Sequence, residues 1–220
     1  MPNANVGDVL AFDRKGGFIS LKNKDEKYLI RFTRMDYSYD GKHFSQGADG
    51  KWTITDCDRI NKDIPCDICD KAFEIKRKLK GVTDENEKKK IHEEARPYEP
   101  KITFYYPVLD RGDETCKILK TTLSIRLKIE EQIKDGKDIL TGDYTIKRTE
   151  KPGSEYYTLV REDSADTKPL TEREIREVAG AKTWNLEQMI GGKKSEFEPE
   201  IEDVVEDDEL DKLFNGNNEK

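Results

Sequence analysis

At 220 residues the chain suits one domain with embellishments, or one domain plus a tail. Charged residues make up 40% and hydrophobic ones 34%, so the core is modest for the length, and no run approaches the roughly 20 apolar residues of a membrane helix. The net charge of -7 is unevenly spread: residues 195–220 hold eleven acidic side chains against Lys212 and Lys220, while the first 194 residues hold 36 acidic and 38 basic ones. The expectation is a soluble protein with a mildly basic body and a strongly acidic tail. Met1 to Asp8 has neither a basic start nor an apolar run, so no signal peptide is read there.

Residues 9–33 read as an all-β opening. Val9-Leu10-Ala11-Phe12, a turn at Gly16-Gly17, Phe18 to Leu21 and Tyr28 to Phe32 are short β-runs with Gly and Asn punctuation, which suggests a small barrel. Tyr37 to Lys42 contains an Asp40-Gly41 turn signal, and Trp52-Thr53-Ile54-Thr55 leads into Cys57. A helix is expected from Lys71 to Leu79 and a charged one from Asp84 to Arg96, with Thr83 or Asp84 as cap and Pro97 and Pro100 behind. Strands resume at Ile102 to Leu109 and Cys116 to Leu119. Leu123 to Lys134 has helical spacing, and residues 143–148 and 156–161 form a hairpin around a polar loop. Thr171 to Ala179 is a short helix with Glu174 three residues after its Thr171 cap. Gly191-Gly192 marks a linker, beyond which the acidic segment has too little hydrophobicity to fold alone.

Within 27 residues lie His43, Cys57, Cys66 and Cys69, spaced His-x13-Cys-x8-Cys-x2-Cys. A Cys-x2-Cys turn lets two thiolates bind one ion while more distant ligands clamp a loop onto it. Tetrahedral Zn²⁺ takes Cys₃His readily, and four protein ligands close the coordination sphere, which points to a structural ion. A redox pair at Cys66 and Cys69 is the alternative, since Pro65 precedes and a helical pattern follows. Cys116 lies outside the cluster as an ordinary strand cysteine. No Gly-rich phosphate loop, nucleophile elbow or His-Glu-x2-His helix occurs, so no enzyme is expected.

The body interleaves aromatics with positive charge on the expected strands. Arg31 and Arg34 follow Tyr28, Phe104-Tyr105-Tyr106 follows Lys101, Tyr144 leads to Lys147 and Arg148, and Tyr156-Tyr157 precedes Arg161. Aromatic faces stack on bases while Lys and Arg neutralise phosphates, which is the combination single-stranded nucleic acid needs. Any one such aromatic can instead fill the barrel, but adjacent pairs point to opposite faces of a strand, so one member of Tyr105-Tyr106 and one of Tyr156-Tyr157 is expected to be exposed.

The order of barrel strands, His-Cys-Cys-x2-Cys loop, helices, Phe-Tyr-Tyr strand, polar hairpin and acidic C-terminal segment resembles the phage single-stranded DNA-binding proteins of the gene 32 type. The resemblance spans roughly residues 9–220, and the four-ligand spacing is its specific part. It implies a mainly β (α+β) fold: an OB barrel in residues 1–194, with a zinc-binding subdomain inserted at about 35–100 and peripheral helices, followed by a disordered acidic tail, 195–220. It also implies single-stranded DNA in the cleft between barrel and zinc subdomain, with His43, Cys57, Cys66 and Cys69 matching the family's zinc ligands and Tyr105, Tyr106 and Tyr156 or Tyr157 its aromatics. The tail resembles one that recruits phage replication and recombination proteins, and Leu210, Leu213 and Phe214 amid the acids suit a partner-docking segment. DNA replication, recombination and repair in a bacterial host's cytoplasm follow as expectations. The family's basic N-terminal arm has no counterpart in Met1 to Asp8, which leaves filament-like cooperativity without that support. A zinc-stabilised protein-interaction or transcription-regulating module is the rival reading.

Overall fold

A computed structural model describes residues 17–21, 23, 26–46, 50–149, 157–162, 167–190 and 193–195. The opening run at residues 9–12, the hairpin loop, Tyr156 and the acidic segment with Leu210, Leu213 and Phe214 lie outside the described residues.

The described chain is a mixed α+β structure built on one large, mostly antiparallel open sheet. Its strands are β1 (Phe18–Ile19), β2 (Lys27–Phe32), β3 (Tyr37–Gln46), β4 (Trp52–Asp56), β5 (Lys101–Asp110), β6 (Thr115–Thr121), β7 (Tyr144–Arg148), β8 (Tyr157–Arg161) and β9 (Lys193–Ser195). Its helices are α1 (Asp58–Lys62), α2 (Asp67–Arg77), α3 (Glu85–Ala95), α4 (Leu123–Lys134), α5 (Glu172–Ala181) and α6 (Leu186–Ile190). The main path runs β1-β6-β5-β2-β7-β8, and only β1–β6 is parallel. Strand β5 is long enough to share one edge between two partners: Lys101 to Tyr105 pair with β3, and Val108 to Asp110 with β2. Among the described residues no ladder joins β8 back to β1, so closure into a barrel is not part of these pairings.

Alternation along the strands decides which side chains enter the core. Ile30, Phe32, Tyr106, Val108, Tyr144 and Ile146 point to one face, where Ile125 and Ile129 of α4 complete the main cluster. The opposite face of β5 and β6 is covered as well. Tyr105 and Ile118 pack against Leu186, Trp184 and Met189, while Leu109 and Cys116 pack against Ala181 and Val178. This corrects the expectation of an exposed tyrosine: Tyr105 and Tyr106 do point to opposite faces, but α5 and α6 make both faces interior.

A second correction concerns Asp40-Gly41, which forms no turn. Both lie in the ten-residue strand β3, whose free edge is divided between β9 at Tyr37–Tyr39 and β4 at Lys42–Gln46. Gly41 sits in the gap. Its backbone N–H donates to Asn61 Oδ1 at 2.8 Å, and its carbonyl accepts from Asn61 Nδ2 at 3.0 Å and the Cys57 N–H at 2.8 Å. A Cβ added to Gly41 would lie 2.6 Å from Ile60 Cβ, so the glycine is there to let α1 dock on the sheet. We expect Gly41→Ala to displace α1 and cost about 1–3 kcal/mol, read as a lower denaturation midpoint; an unchanged midpoint would mean that α1 is not anchored here.

Helix boundaries follow their caps. Asp84 accepts from the Glu87 N–H at the start of α3, and Thr171 with Glu174 forms a reciprocal capping box at the start of α5. None of the described helices is long and apolar enough to cross a membrane.

Candidate metal centre and adjoining groove

Three segments carry the four candidate ligands to one point. His43 lies on β3, Cys57 at the residue before α1, Cys66 at the residue before α2, and Cys69 in the first turn of α2. All four side chains are buried, and their ligand atoms lie within 4.8 Å of one another. His43 Nε2 is 3.3 Å from Cys66 Sγ and 3.6 Å from Cys69 Sγ, and Cys57 Sγ is 3.4 Å from Cys69 Sγ. A tetrahedral ion with metal–sulfur bonds of ~2.3 Å and a metal–nitrogen bond of ~2.0 Å has ligand–ligand edges of ~3.5–3.8 Å. Three of the cluster's separations, 3.3–3.6 Å, are close to such edges and its full spread is within 4.8 Å, so the four side chains could hold a metal ion.

The electrostatics suit a cation. All four cysteines of the chain are free thiols. The Cys69 thiol's hydrogen bond holds Cys57 down to about 5 against the opposing effect of burial, while that same bond and burial push Cys69 up. The amino end of α1 also favours negative charge at Cys57. Cys116 differs: burial, reinforced by Glu177, pushes it up to about 12, and it packs beneath α5. The local core around the cluster is small. Its buried members are Cys57, Ile60, Cys66 and Cys69, with Tyr39, Ile68, Phe73 and Ile102 against them.

Beside the cluster runs a groove of about 610 Å³, bordered by the β3–β4 hairpin, α2 and the end of α3. Phe44, Trp52 and Tyr98 contribute aromatic surface to it, and Lys71, Arg96 and Lys101 contribute positive charge. Trp52 is 64% exposed and Tyr98 36%, and Lys101 Nζ stands 4.8 Å from the Phe44 ring centre. Glu93 and Glu99 also line the groove, but Glu99 is neutralised by Lys76 at 2.9 Å.

The strand residues read from the sequence as nucleic-acid contacts fall elsewhere. Phe104, Tyr105, Tyr106 and Tyr144 are buried in the sheet's two cores, so their ring faces are not available for stacking in this conformation. Arg31 donates to Asp143 at 2.6 Å, and Asp143 also faces Arg111, which pairs with the buried Glu174. That network ties β2 and β5 to the start of α5. Arg34 Nη1 donates to the carbonyls of Trp184 at 2.8 Å and Lys182 at 3.2 Å, and Nη2 pairs with Asp36. Lys147 alternates onto the outer face of β7, whereas Tyr144, Arg148 and Tyr157 belong to the other side, so these four do not form one surface. Tyr157 is half-buried against the main core.

Arg34 therefore closes the carboxyl end of α5 and holds the turn into α6. We expect Arg34→Ala to cost about 1.5–3 kcal/mol through the lost charge-assisted hydrogen bonds, measured by urea unfolding. Unchanged stability, or a weaker dependence of nucleic-acid affinity on salt in this variant, would place Arg34 in an interface instead.

Lys101 belongs to the basic-aromatic strand read from the sequence, but Phe44, Trp52, Tyr98, Lys71 and Arg96 escape a strand-by-strand reading because the fold brings them together from different elements. The available signal is that Phe44 and Trp52 lie between the four candidate ligands in sequence and the others follow them.

No family model, curated protein or solved structure matches this chain.

Proposed function

We propose that the protein is a non-enzymatic, sequence-tolerant single-stranded DNA-binding protein in which a structural Zn²⁺ at His43, Cys57, Cys66 and Cys69 holds one wall of the binding groove. The observation that carries this reading is the groove itself: two exposed aromatic rings and three cations beside a closed four-ligand cluster. Stacking on aromatics contributes about 1–3 kcal/mol per base without regard to sequence, and lysine and arginine add a salt-dependent contribution from phosphates. With four protein ligands an ion has no open position for a substrate, so its part is architectural.

Strand order supports an OB-type barrel as the finer description. If β2 and β3 count as one bent first strand, β5, β6, α4, β7 and β8 follow in the strand–strand–helix–strand–strand order of that fold. The cluster-bearing excursion then lies between the first and second strands, one of the two loops with which OB-folds bind oligonucleotides. On the resemblance to gene 32 type proteins, the acidic segment recruits replication and recombination partners in a phage-infected bacterium. Titration of the tryptophan fluorescence with oligo-dT at two salt concentrations tests the reading. Saturable quenching that weakens with salt is expected, and no binding at low salt would overturn it.

A further inference from the structure

We propose that the free edge of β4 pairs with β4 of a second copy of this chain, making a weak two-fold dimer through a four-stranded β3–β4–β4–β3 ribbon. Among the described residues β4 pairs only with β3, and all five of its residues are exposed. The Cys57 N–H donates to the Gly41 carbonyl at the base of that ladder. By the alternation of antiparallel pairing, Thr53 and Thr55 also turn their backbone groups toward β3, so Trp52, Ile54 and Asp56 turn theirs outward. An exposed edge with open N–H and C=O groups is a template for another strand, and β4 carries neither Lys nor Pro to block it.

The occupant follows from the strand's own sequence. A two-fold axis at Ile54 satisfies the outward groups as about six hydrogen bonds between the copies. It sets Ile54 against Ile54, each Thr53 against Thr55 and each Trp52 against Asp56. Apolar and Thr–Thr pairs of this kind are favourable across strands, and no like charges meet. Trp52 and Ile54, 64% and 59% exposed, share the face on which Phe44 neighbours Ile54, so the ribbon gains a central apolar row of Phe44, Ile54, Ile54 and Phe44. Each Asp56 stays beside Lys42 of its own β3. An unrelated peptide has no reason to match this pattern, whereas a second copy matches it by symmetry. A single short strand covers less than the ~1,200 Å² of a stable complex, so the dimer is weak and concentration-dependent.

Ile54 does not line the groove beside the metal cluster, so the dimer can be tested apart from nucleic-acid binding. Sedimentation velocity of the full, metal-loaded chain without nucleic acid should show the average mass rising with concentration toward twice the chain mass. Ile54→Lys and Ile54→Glu each place like charges opposite one another at the axis and should weaken association about tenfold or more. Mixing the two variants should restore it, because position 54 meets only position 54. Circular dichroism and metal content identical to the parent show that each variant folds. A parent chain that stays monomeric up to about 0.1 mM, single variants that associate as the parent does, or a mixture that fails to recover would each overturn the proposal.

Discussion

Removing the metal is expected to unfold residues 57–98 while the main sheet stands. Three of the four buried hydrophobic members of that segment's local cluster are candidate ligands, so little apolar contact remains to hold α1 and α2 once the ion is gone. Binding energy for a structural zinc is on the order of 10 kcal/mol, comparable to the whole stability of a domain. The main core of Phe32, Tyr106, Val108, Tyr144, Ile125 and Ile129 is built from other buried residues and meets the cluster only through Tyr39 and Ile102, so most of its packing is kept. Chelation, or Cys66→Ser, should therefore lower the helical signal and open protease sites between Cys57 and Tyr98 without a global transition. A thiol reagent should then reach Cys57, Cys66 and Cys69 quickly. Cys116, buried under α5 with its thiol pushed up to about 12, should react only on global unfolding. Protons compete with the metal for the thiolates, so acidification should release the ion. A purified chain without stoichiometric metal, or one whose proteolysis pattern is indifferent to chelator, would refute the assignment.

The candidate ligand set was legible because its chemistry depends on residue type and spacing, and the structure brings all four side chains together in a cluster that could hold a metal ion. Local signals also placed the start of α3 at Thr83 or Asp84, of which Asp84 is the cap, α4 over Leu123–Lys134 and the Thr171–Glu174 capping box of α5. What eluded the sequence is non-local. Period-two alternation reveals that Tyr105 and Tyr106 point apart, but it carries no information that α5 and α6, far along the chain, will cover the second face. Asp40-Gly41 has the composition of a turn, yet Gly41 is needed for contact with Ile60 in a helix that sequence periodicity is too short to announce. Arg31 and Arg34 look like phosphate ligands by charge alone. Their partners, Asp143 and the carbonyls after α5, come from more than a hundred residues away. In each case the side chain serves long-range packing, and the groove is built mostly from residues that packing left exposed.

Replacing Trp52 with Ala is expected to weaken oligo-dT binding roughly 5- to 150-fold, the equivalent of about 1–3 kcal/mol for one stacked base. Tyr98→Ala should have an effect of the same kind and smaller size, since Tyr98 is the less exposed ring. The assignment also predicts the spectroscopic readout. Trp184 is half-buried and packs on the far face of β5, whereas Trp52 borders the groove, so Trp52→Phe should abolish most of the quenching while retaining affinity. Lys71, Arg96 and Lys101 supply three cations. If each displaces counterions from one phosphate, together they contribute about -2 to the slope of log affinity against log salt for a single strand. Converting any one of them to Gln should flatten that slope by ~0.7 and weaken binding to all sequences alike. Tyr105→Leu serves as the contrast, because its ring lies between β5 and α6 and should change stability without changing the slope. Oligo-dT affinity unaffected by Trp52→Ala and lost in Tyr105→Leu at full folding would move the binding surface from the groove back to the strands.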